Sequence, residues 1–272
     1  MSDDPLGSVL ITGAGSGLGA ATAAAAAEAG WRVGVLDRDA DAASRTAEAI
    51  GAVAVALTAD TTDARAIDAA LDTFAAATGA PAPDALVCNA GIVRFGPLLE
   101  LDDDDWNAVV AVNLTGTFLT ARAVARRMIA SGTEGSIVAI TSMNGVAPGP
   151  NAGAYGATKA GVARLAQQMA LEWGPLGIRV NAVAPGLIDA GMSDAVYADP
   201  EIRRLRAERV PLRRLGSASD VAAVVLFLLS DGAGYVNGTE LLVDGGVTVS
   251  VINSLPRPLT VDAVGPEDAS DS

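Results

Sequence analysis

Three polar side chains of this sequence have the types and spacing of a proton-transfer group. Tyr155 and Lys159 are four residues apart, so in a helix they lie on one face. A cation beside a phenol favours the phenolate and lowers its pKa from about 10. Ser142 closes the apolar run that starts at Ser136, and a strand there would deliver its hydroxyl to the same place. A hydroxyl, a phenol and an ammonium can then surround one carbonyl oxygen and exchange a proton with it.

The same pair also has a simpler interpretation, because Tyr and Lys at this spacing are common on helices. The helix that we predict over residues 152–173 would then carry an exposed Lys159 and a half-buried Tyr155 with no chemical role. The rest of the chain decides between the two interpretations.

A glycine-rich turn near the N-terminus is typical of a nucleotide site. The apolar run Ser8–Thr12 leads directly into Gly13-Ala-Gly-Ser-Gly17-Leu-Gly19 and an alanine-rich stretch, which predicts a strand, a turn and a helix. Glycines let a pyrophosphate approach the backbone, and the helix N-terminus supplies free N–H groups. The spacing differs from the usual G-x-G-x-x-G pattern, so tight-turn geometry alone is a second explanation.

An acidic residue follows the second predicted strand. Asp37 closes the run 31–37 and lies 18 residues beyond Gly19. A carboxylate there can accept hydrogen bonds from a ribose hydroxyl and repel a 2′-phosphate, which favours NAD over NADP. Asp37 can instead be a solvated loop residue, and Arg38 can approach a phosphate. Both alternatives stay open at this point.

Strands and helices alternate along the remaining chain. Apolar runs predict strands at 53–57, 84–88, 136–142, 178–184 and 240–243, and helical spacing occurs at 63–77, 102–130 and 220–229. This order predicts an α/β fold with a doubly wound, mostly parallel seven-stranded sheet and helices on both faces. Polar residues follow five of the strands, and they should gather at one sheet edge: Thr12, Asp37, Asp60, Asn89 and Ser142.

A single domain is predicted over residues 1–253. Residues 187–215 interrupt the alternation with proline, aspartate and clustered arginines, as expected of a mobile lid over a site. Residues 254–272 form a proline-rich acidic tail with little apolar surface to bury.

Composition excludes several function classes. The 272 residues are 50% hydrophobic and 18% charged, which suits a buried parallel sheet and excludes a disordered protein. The formal net charge of −14 makes nucleic acid an unexpected partner. The absence of histidine excludes His triads and His metal sites, and we expect no metal. The chain has a single cysteine and an acidic start, which predict a cytoplasmic protein. The apolar stretch at 221–229 is too short to span a bilayer, so we expect no membrane contact.

With these pieces in order, the sequence resembles the classical short-chain dehydrogenases/reductases over roughly residues 6–247. Thr12 to Gly19 is similar to the family's T-G-x-x-x-G-x-G cofactor turn, and Tyr155 to Lys159 is similar to its Y-x-x-x-K motif. Further matches are Asn89-Ala-Gly91, Asn181, Pro185-Gly186 and Val243-Asp-Gly-Gly246. The resemblance implies a Rossmann-type single domain with a cofactor turn at 12–19 and a catalytic segment at 113–159.

Two residues depart from the family pattern. Cys88 replaces the first Asn of the N-N-A-G motif, while Asn89, Ala90 and Gly91 are kept. Ala190 stands where the family usually has a Thr that holds the cofactor carboxamide.

The resemblance also implies roles for individual residues. Tyr155 would be the general acid/base, Ser142 would polarise the substrate oxygen, and Lys159 would hold the nicotinamide ribose and lower the pKa of Tyr155. Asn113, which can also be a satisfied core amide, would hold a water in a proton relay to Lys159. Asp60 would meet the adenine. Cofactor contacts are implied at Gly13, Ser16, Gly17, Leu18, Gly19, Asp37, Arg38, Asp60, Thr61, Asn89, Ala90, Gly91, Tyr155, Lys159, Pro185, Gly186 and Ile188.

We therefore expect an NAD-dependent short-chain alcohol dehydrogenase or ketone reductase. Family members that use NADP often carry a basic residue where this chain has Ser16, which favours NAD. The expected pocket walls, residues 143–154 and the lid, suggest a small, largely apolar alcohol or ketone. The resemblance implies a homotetramer built through the helices near 102–130 and 152–173.

Two other functions remain open. The first is an NADPH-dependent 3-oxoacyl-thioester reductase. Its substrate would favour a basic docking surface, and the net charge of −14 gives no indication of one. A protein of the same fold can also bind a nucleotide and act as a regulator without turnover.

Overall fold

Seven strands form one sheet within residues 6–250, the part of the chain that the computed structural model describes. The predicted tail at 254–272 lies outside the described residues. The strands are β1 (Ser8–Thr12), β2 (Arg32–Asp37), β3 (Ala54–Thr58), β4 (Ala85–Cys88), β5 (Gly135–Ile140), β6 (Ile178–Pro185) and β7 (Glu240–Val243). Their order is β3-β2-β1-β4-β5-β6-β7, and every pairing is parallel. The order reverses between β1 and β4, which is where a doubly wound sheet opens a ligand crevice.

Helices cover both faces of the sheet, as predicted. They are α1 (Gly17–Glu28), α2 (Ala40–Ile50), α3 (Ala64–Thr78), α4 (Asp103–Val110), α5 (Thr117–Ser131), α6 (Met143–Val146), α7 (Tyr155–Trp173), α8 (Asp194–Tyr197), α9 (Pro200–Arg209) and α10 (Ala218–Leu229). Helices α1, α2 and α10 bury apolar residues on one face, and α3, α5 and α7 do so on the other. The strands between them are apolar on both sides, so β1 is buried along its whole length.

Some boundaries differ from the sequence prediction in ways that affect the site. Strand β5 ends at Ile140, and Ser142 instead caps the short helix α6, where its Oγ accepts from the Asn144 N–H at 3.2 Å. Helix α7 starts at Tyr155 and not at residue 152. The predicted helix 102–130 is broken by a π-helical turn at Ala111–Gly116. Two of these differences lie where a polar side chain binds a backbone group, Ser142 with Asn144 and Asn113 with Ile92, which apolar periodicity does not record. Helix α7 begins without a side-chain cap.

Within residues 6–250, one helical segment, Asp103–Ser131, is long and apolar enough to cross a bilayer by length and composition alone. It starts with three consecutive aspartates, and its α5 part packs against α3, β4 and α7. Its apolar residues thus contribute to the core of this domain, as core helices of α/β domains do.

Candidate active site

A cleft of about 610 Å³ opens at the carboxyl ends of the strands. Nearly all the site residues predicted from the sequence line it, and they come from the ends of β1 to β6, the loops that follow these strands, and the first turns of α1 and α7. The two exceptions are Gly19 and Asn113, which are buried and do not line the cleft. The expectation that polar residues after the strands gather at one edge is therefore confirmed.

The glycine turn leaves no room for side chains. Gly13 and Gly17 have φ values of 62° and 53°, in the left-handed region. A Cβ on Gly13 would lie 2.8 Å from the Ala90 Cα, and one on Gly19 would lie 2.1 Å from the Gly13 carbonyl oxygen. The turn is thus a backbone surface at the N-terminus of α1, where free N–H groups favour an anion.

A pair of polar side chains ties this turn to β4. The Asn89 Nδ2 donates to the Thr12 and Gly13 carbonyl oxygens, both at 3.0 Å. In return, the Thr12 Oγ1 accepts from the Asn89 and Ala90 N–H groups, both at 3.0 Å. Asn89 therefore stabilises the glycine turn through these hydrogen bonds. Cys88 is buried beside it, and its thiol faces the Thr117 carbonyl at 4.0 Å without disturbing these bonds.

Asp37 has the position expected of a ribose-binding carboxylate. Its Oδ2 accepts from the Gly15 N–H at 2.9 Å, and its Oδ1 accepts from the Asp39 N–H at 3.0 Å. These bonds fix the carboxylate in the cleft next to the glycine turn, so Asp37 is more than a solvated loop residue. Arg38 lies in the same wall and is exposed.

Asp60 and Thr61 form the neighbouring wall, after β3. The Asp60 carboxylate accepts from the Thr62 N–H and hydroxyl at 2.8 and 2.7 Å, and these bonds lower the pKa of Asp60. The charge of Arg38 adds to the effect. Asp60 is therefore an anion held beside the cleft.

Ser142, Tyr155 and Lys159 meet at the other end of the cleft. The Lys159 Nζ donates to the Ile140 carbonyl at 2.7 Å and lies 5.6 Å from the centre of the Tyr155 ring. Lys159 is 3% exposed and Ser142 is 8% exposed. Helix α7 and the turn between β5 and α6 thus bring the three groups to one end of the cleft, although Ser142 lies beyond the strand on which the sequence predicted it.

The pKa of Tyr155 differs from the prediction. Burial raises it, and the hydrogen bond with Ser142 opposes that rise. The expectation that Lys159 lowers the Tyr155 pKa is therefore wrong for this structure. Burial lowers the pKa of Lys159 itself to about 8, since an ammonium loses its hydration inside the fold. Lys159 instead donates to the backbone of β5, and Ser142 is the group that favours the phenolate.

The burial of Lys159 makes stability depend on pH. Its pKa is about 8 in the folded chain against an ordinary 10.5, so between these values the unfolded chain binds more protons. Lys159 should therefore contribute a rise in the free energy of unfolding with pH over this interval, on the order of 3 kcal/mol, while Cys88, whose pKa burial raises from 9.0 to about 12, contributes an opposing fall above pH 9. Lys159→Met should flatten the rise, because no charge is left to bury. Denaturant titrations of both proteins across the interval test this, and equal pH slopes would contradict it.

Asn113 is a fully buried amide whose side chain is already occupied. Its Oδ1 accepts from the Ile92 N–H at 2.8 Å, and its Nδ2 donates to the Ile92 carbonyl at 2.9 Å and to the Thr158 Oγ1 at 3.2 Å. The π-helical turn carries it to this position. Its side chain thus positions the loop after β4, and a direct role in proton transfer stays a prediction.

Gly91 lies between Asn113 and Lys159. A Cβ there would lie 3.3 Å from the Asn113 Oδ1 and 3.4 Å from the Lys159 Nζ. The amide and the ammonium therefore flank the same backbone position, as a relay between them would require.

The predicted lid folds over the cleft. Residues 190–193 line it, followed by α8 and α9. Gly191 has a φ of 61°, and a Cβ on it would lie 3.2 Å from the Gly17 Cα. An ion pair between Asp189 and Arg203 ties the root of the lid to α9. The backbone of the lid at Gly191 therefore contacts the backbone of the glycine turn at Gly17.

Ala190 lines the cleft where the family resemblance places a Thr. We expect Ala190→Thr to tighten NADH binding severalfold, because a hydroxyl can bind the carboxamide and one neutral hydrogen bond contributes roughly 0.5 to 1.5 kcal/mol. The effect on the chemical step should be smaller. Calorimetric titration of both proteins with NADH measures it. Equal or weaker affinity in the Thr variant would mean that another group, such as Ser193, already binds the carboxamide.

Sequence reasoning missed several cleft residues. Gly15 donates to Asp37, Arg45 comes from α2, and Thr141 and Ile92 lie beside the catalytic groups. Gly15 has a local signal, since it belongs to the glycine turn. The others come from separate elements and lack a motif of their own. Among residues 6–250, no three His, Cys, Asp or Glu side chains are grouped as metal ligands are.

Comparison with known proteins agrees with this geometry. Residues 13–248 match the family described as Enoyl-(Acyl carrier protein) reductase. The chain is 43% identical to galactitol 2-dehydrogenase (L-tagatose-forming) of Cereibacter sphaeroides, over 88% of this chain and 94% of the relative. It is 38% identical to human (3R)-3-hydroxyacyl-CoA dehydrogenase, over 88% and 96%. A gluconate 5-dehydrogenase from Burkholderia cenocepacia, solved with NADP and tartrate, superposes with a TM-score of 0.85 at 37% identity, covering 91% of this chain and 97% of that one.

Proposed function

The chain belongs to the classical short-chain dehydrogenase/reductase family of oxidoreductases, and we propose that it interconverts a secondary alcohol and a ketone with NAD(H). One observation carries the proposal: Ser142, Tyr155 and Lys159 converge in the same cleft as the glycine turn and Asp37. Proton-transfer groups beside a nucleotide cradle are what such a reaction requires.

The cleft fits a nicotinamide dinucleotide. The backbone surface at Gly13 and Gly17 leaves space that any side chain would fill, and the N-terminus of α1 faces it. Asp37 would hold the adenosine ribose, and Asp60 with Thr61 would flank the adenine. Lys159 and the end of β6 at Pro185 would hold the nicotinamide half. Asp37 and Ser16 support NAD, and Arg38 keeps NADP as the alternative.

The residues of this chain supply the proton chemistry. The chemistry that a bound nicotinamide would supply is hydride transfer, from the alcohol carbon in oxidation and to the ketone carbon in reduction. Tyr155 takes the alcohol proton as a phenolate during oxidation and gives it back as a phenol during reduction. The Ser142 hydroxyl has one proton to donate: donation to the Tyr155 oxygen favours the phenolate, and donation to the substrate oxygen would polarise that oxygen once a substrate is bound. Lys159 is mainly an ammonium at neutral pH, since its pKa is about 8.

We propose a small polyol or sugar derivative as the substrate. The sequence suggested a largely apolar molecule, but the galactitol and gluconate enzymes are named for hydroxylated substrates. The substrate end of the cleft also offers hydroxyls, from Ser142, Tyr155 and Ser193. A polyhydroxylated compound can hydrogen-bond to these groups, whereas a purely apolar one would leave them unpaired.

A spectrophotometric screen tests the proposal. Galactitol, threitol and 2-hexanol would be offered with NAD and with NADP at alkaline pH, and the reverse reaction would be followed with the matching ketones. We expect NADH formation from at least one polyol. A protein that binds NADH but converts no alcohol or ketone would instead be the nucleotide-binding regulator.

A 3-oxoacyl-thioester reductase is the second candidate. It is favoured by the family description and by the human hydroxyacyl-CoA relative. Acetoacetyl-CoA with NADPH should therefore be included in the screen. Turnover of the thioester at a kcat/KM far above that of every polyol would replace the first proposal with this one.

Assembly and location are proposed from the same resemblance. Large apolar side chains are exposed on α4, α5 and α7, namely Trp106, Phe118 and Leu171. We propose that these helices build a homotetramer, which light scattering would test. A single buried cysteine suits the reducing cytoplasm, where we place the protein.

A further inference from the structure

The segment 140–142, between β5 and α6, contacts two catalytic side chains. The Ile140 carbonyl accepts from the Lys159 Nζ at 2.7 Å, and the Ser142 side chain hydrogen-bonds with Tyr155. A shift of this segment would therefore disturb both contacts at once. A misplacement of about 1 Å can reduce a rate by as much as about 10²-fold, so the groups that anchor the segment matter for catalysis.

Thr141, in the middle of this segment, is anchored by its own side chain. Its N–H donates to the Val183 carbonyl at 2.8 Å, and its Oγ1 lies 2.9 Å from the same carbonyl oxygen and 2.6 Å from the Glu240 Oε1. A threonine hydroxyl has one proton to donate, and a carboxylate is a stronger acceptor than a carbonyl that is already occupied. The proton therefore goes to Glu240, at a distance typical of a charge-assisted O–H···O⁻ hydrogen bond.

Glu240 reaches this hydroxyl across a whole strand. It begins β7, where its register partner is Ala182, and β6 lies between β7 and β5. Because side chains alternate along a strand, Ala182 and Ala184 lie on one face of β6, and both are buried. Their short side chains leave space over β6 along which a glutamate can extend. The contact joins residues 99 positions apart in the chain, so no sequence motif records it.

Glu240 makes no other side-chain contact of this kind among residues 6–250. The rest of β7 is apolar, and acidic residues are depleted in strands. None of the ion pairs in this part of the chain includes Glu240, and the bond to Thr141 is its one side-chain hydrogen bond there. Glu240 does not line the cleft, whereas Thr141 does. An effect of Glu240 on the reaction would therefore pass through Thr141.

We propose that Glu240 is a positioning residue for the alcohol–ketone reaction. Its carboxylate holds the Thr141 hydroxyl and thereby fixes the segment 140–142. This segment then presents a carbonyl to Lys159 and a hydroxyl to Tyr155. The inference rests on the proposed function and adds to that site a residue from the edge strand of the sheet.

Glu240→Leu tests the inference, because it removes the acceptor and keeps a side chain of similar size. We expect kcat for the best substrate of the screen to fall about five- to twentyfold. The KM and the NADH affinity should stay within about twofold, since the glycine turn and Asp37 are unchanged. Glu240→Gln keeps an oxygen that can accept from Thr141, and its kcat should stay within about twofold of wild type.

Glu134→Leu is the matched control. Glu134 is exposed and directly precedes β5, at the end of that strand opposite to the cleft. Its loss should leave kcat, KM and NADH affinity at wild-type values. A kcat of Glu240→Leu that also stays within about twofold of wild type would overturn the inference, and so would an equal loss in Glu240→Gln.

Thr141→Val removes the same hydrogen bond from the donor side. Its kcat should fall as in Glu240→Leu, and the double variant should lose no more than the weaker of the two single variants, because both changes remove one bond. Losses that multiply in the double variant would show that the two residues act independently, which would overturn the inference.

Two further outcomes separate the ways in which the inference can fail. If wild type converts no alcohol or ketone, the proposed function fails, and the role of Glu240 in it fails too. If wild type is active but Glu240→Leu does not fold, Thr141→Val decides, since it leaves β7 unchanged. A wild-type kcat in Thr141→Val would then overturn this inference alone and leave the proposed function standing.

Discussion

Replacing Tyr155 with phenylalanine is expected to abolish measurable turnover, a loss of about 10²- to 10⁴-fold or more in kcat. The phenylalanine ring keeps the packing at the start of α7 and removes only the group that exchanges a proton with the substrate oxygen. NADH affinity should therefore be nearly unchanged, which fluorescence titration can measure. Substantial residual turnover would remove Tyr155 from the acid/base role.

The pH profile gives an independent check on the same residue. Alcohol oxidation needs the phenolate, and burial raises the pKa of Tyr155, so kcat/KM should rise toward alkaline pH. Ser142→Ala removes the bond that opposes this rise in pKa, and the rising limb should move to higher pH. A profile that is flat in wild type, or that does not move in the Ser142 variant, would point to another base.

The second large effect is expected at Asp37. Its carboxylate should favour NAD over NADP by a charge-assisted hydrogen bond and by repulsion of a 2′-phosphate, on the order of 2 to 4 kcal/mol. Asp37→Ser should remove most of this preference, a change of about 30- to 1000-fold in the ratio of the two kcat/KM values. Steady-state kinetics with both cofactors in both proteins measure it.

Asp37→Asn is the matched control, because an amide oxygen can still accept from the Gly15 N–H while the charge is lost. If repulsion of the phosphate dominates, Asn and Ser should relax the preference alike. If loss of the turn geometry dominates, only Ser should weaken binding of both cofactors. A wild type that prefers NADP would refute the NAD assignment and give Arg38 the selecting role.

Much of the fold was readable from local patterns. Apolar runs of strand length, the glycines at 13–19 and helical spacing between strands predicted seven strands and the helices α1, α3, α5, α7 and α10 to within a few residues, whereas α2, α6, α8 and α9 were not predicted. Such patterns are local because backbone hydrogen bonding and side-chain period are set by neighbouring residues. The pairing of Tyr155 with Lys159 was equally readable, since one turn of helix places them on one face.

The rest of the site depends on contacts between distant segments. Asn113 was visible as an amide among apolar residues, but only the fold brings Ile92 and Thr158 to it. Arg45 and Thr141 line the cleft because α2 and β5 pass beside it. No short motif records such neighbours, since each belongs to a different β-α unit.

The sequence by itself determined the chemistry of this protein, namely which hydroxyl, phenol and amine are present and at what spacing. Only the tertiary structure decided their energetics. The spacing of Tyr155 and Lys159 predicted a lowered pKa for the Tyr155 phenol. In the structure, burial of Tyr155 raises its pKa, and burial of Lys159 lowers the pKa of Lys159. Desolvation is the physical reason, because the loss of water around a group depends on every element packed against it and not on its neighbours in the chain.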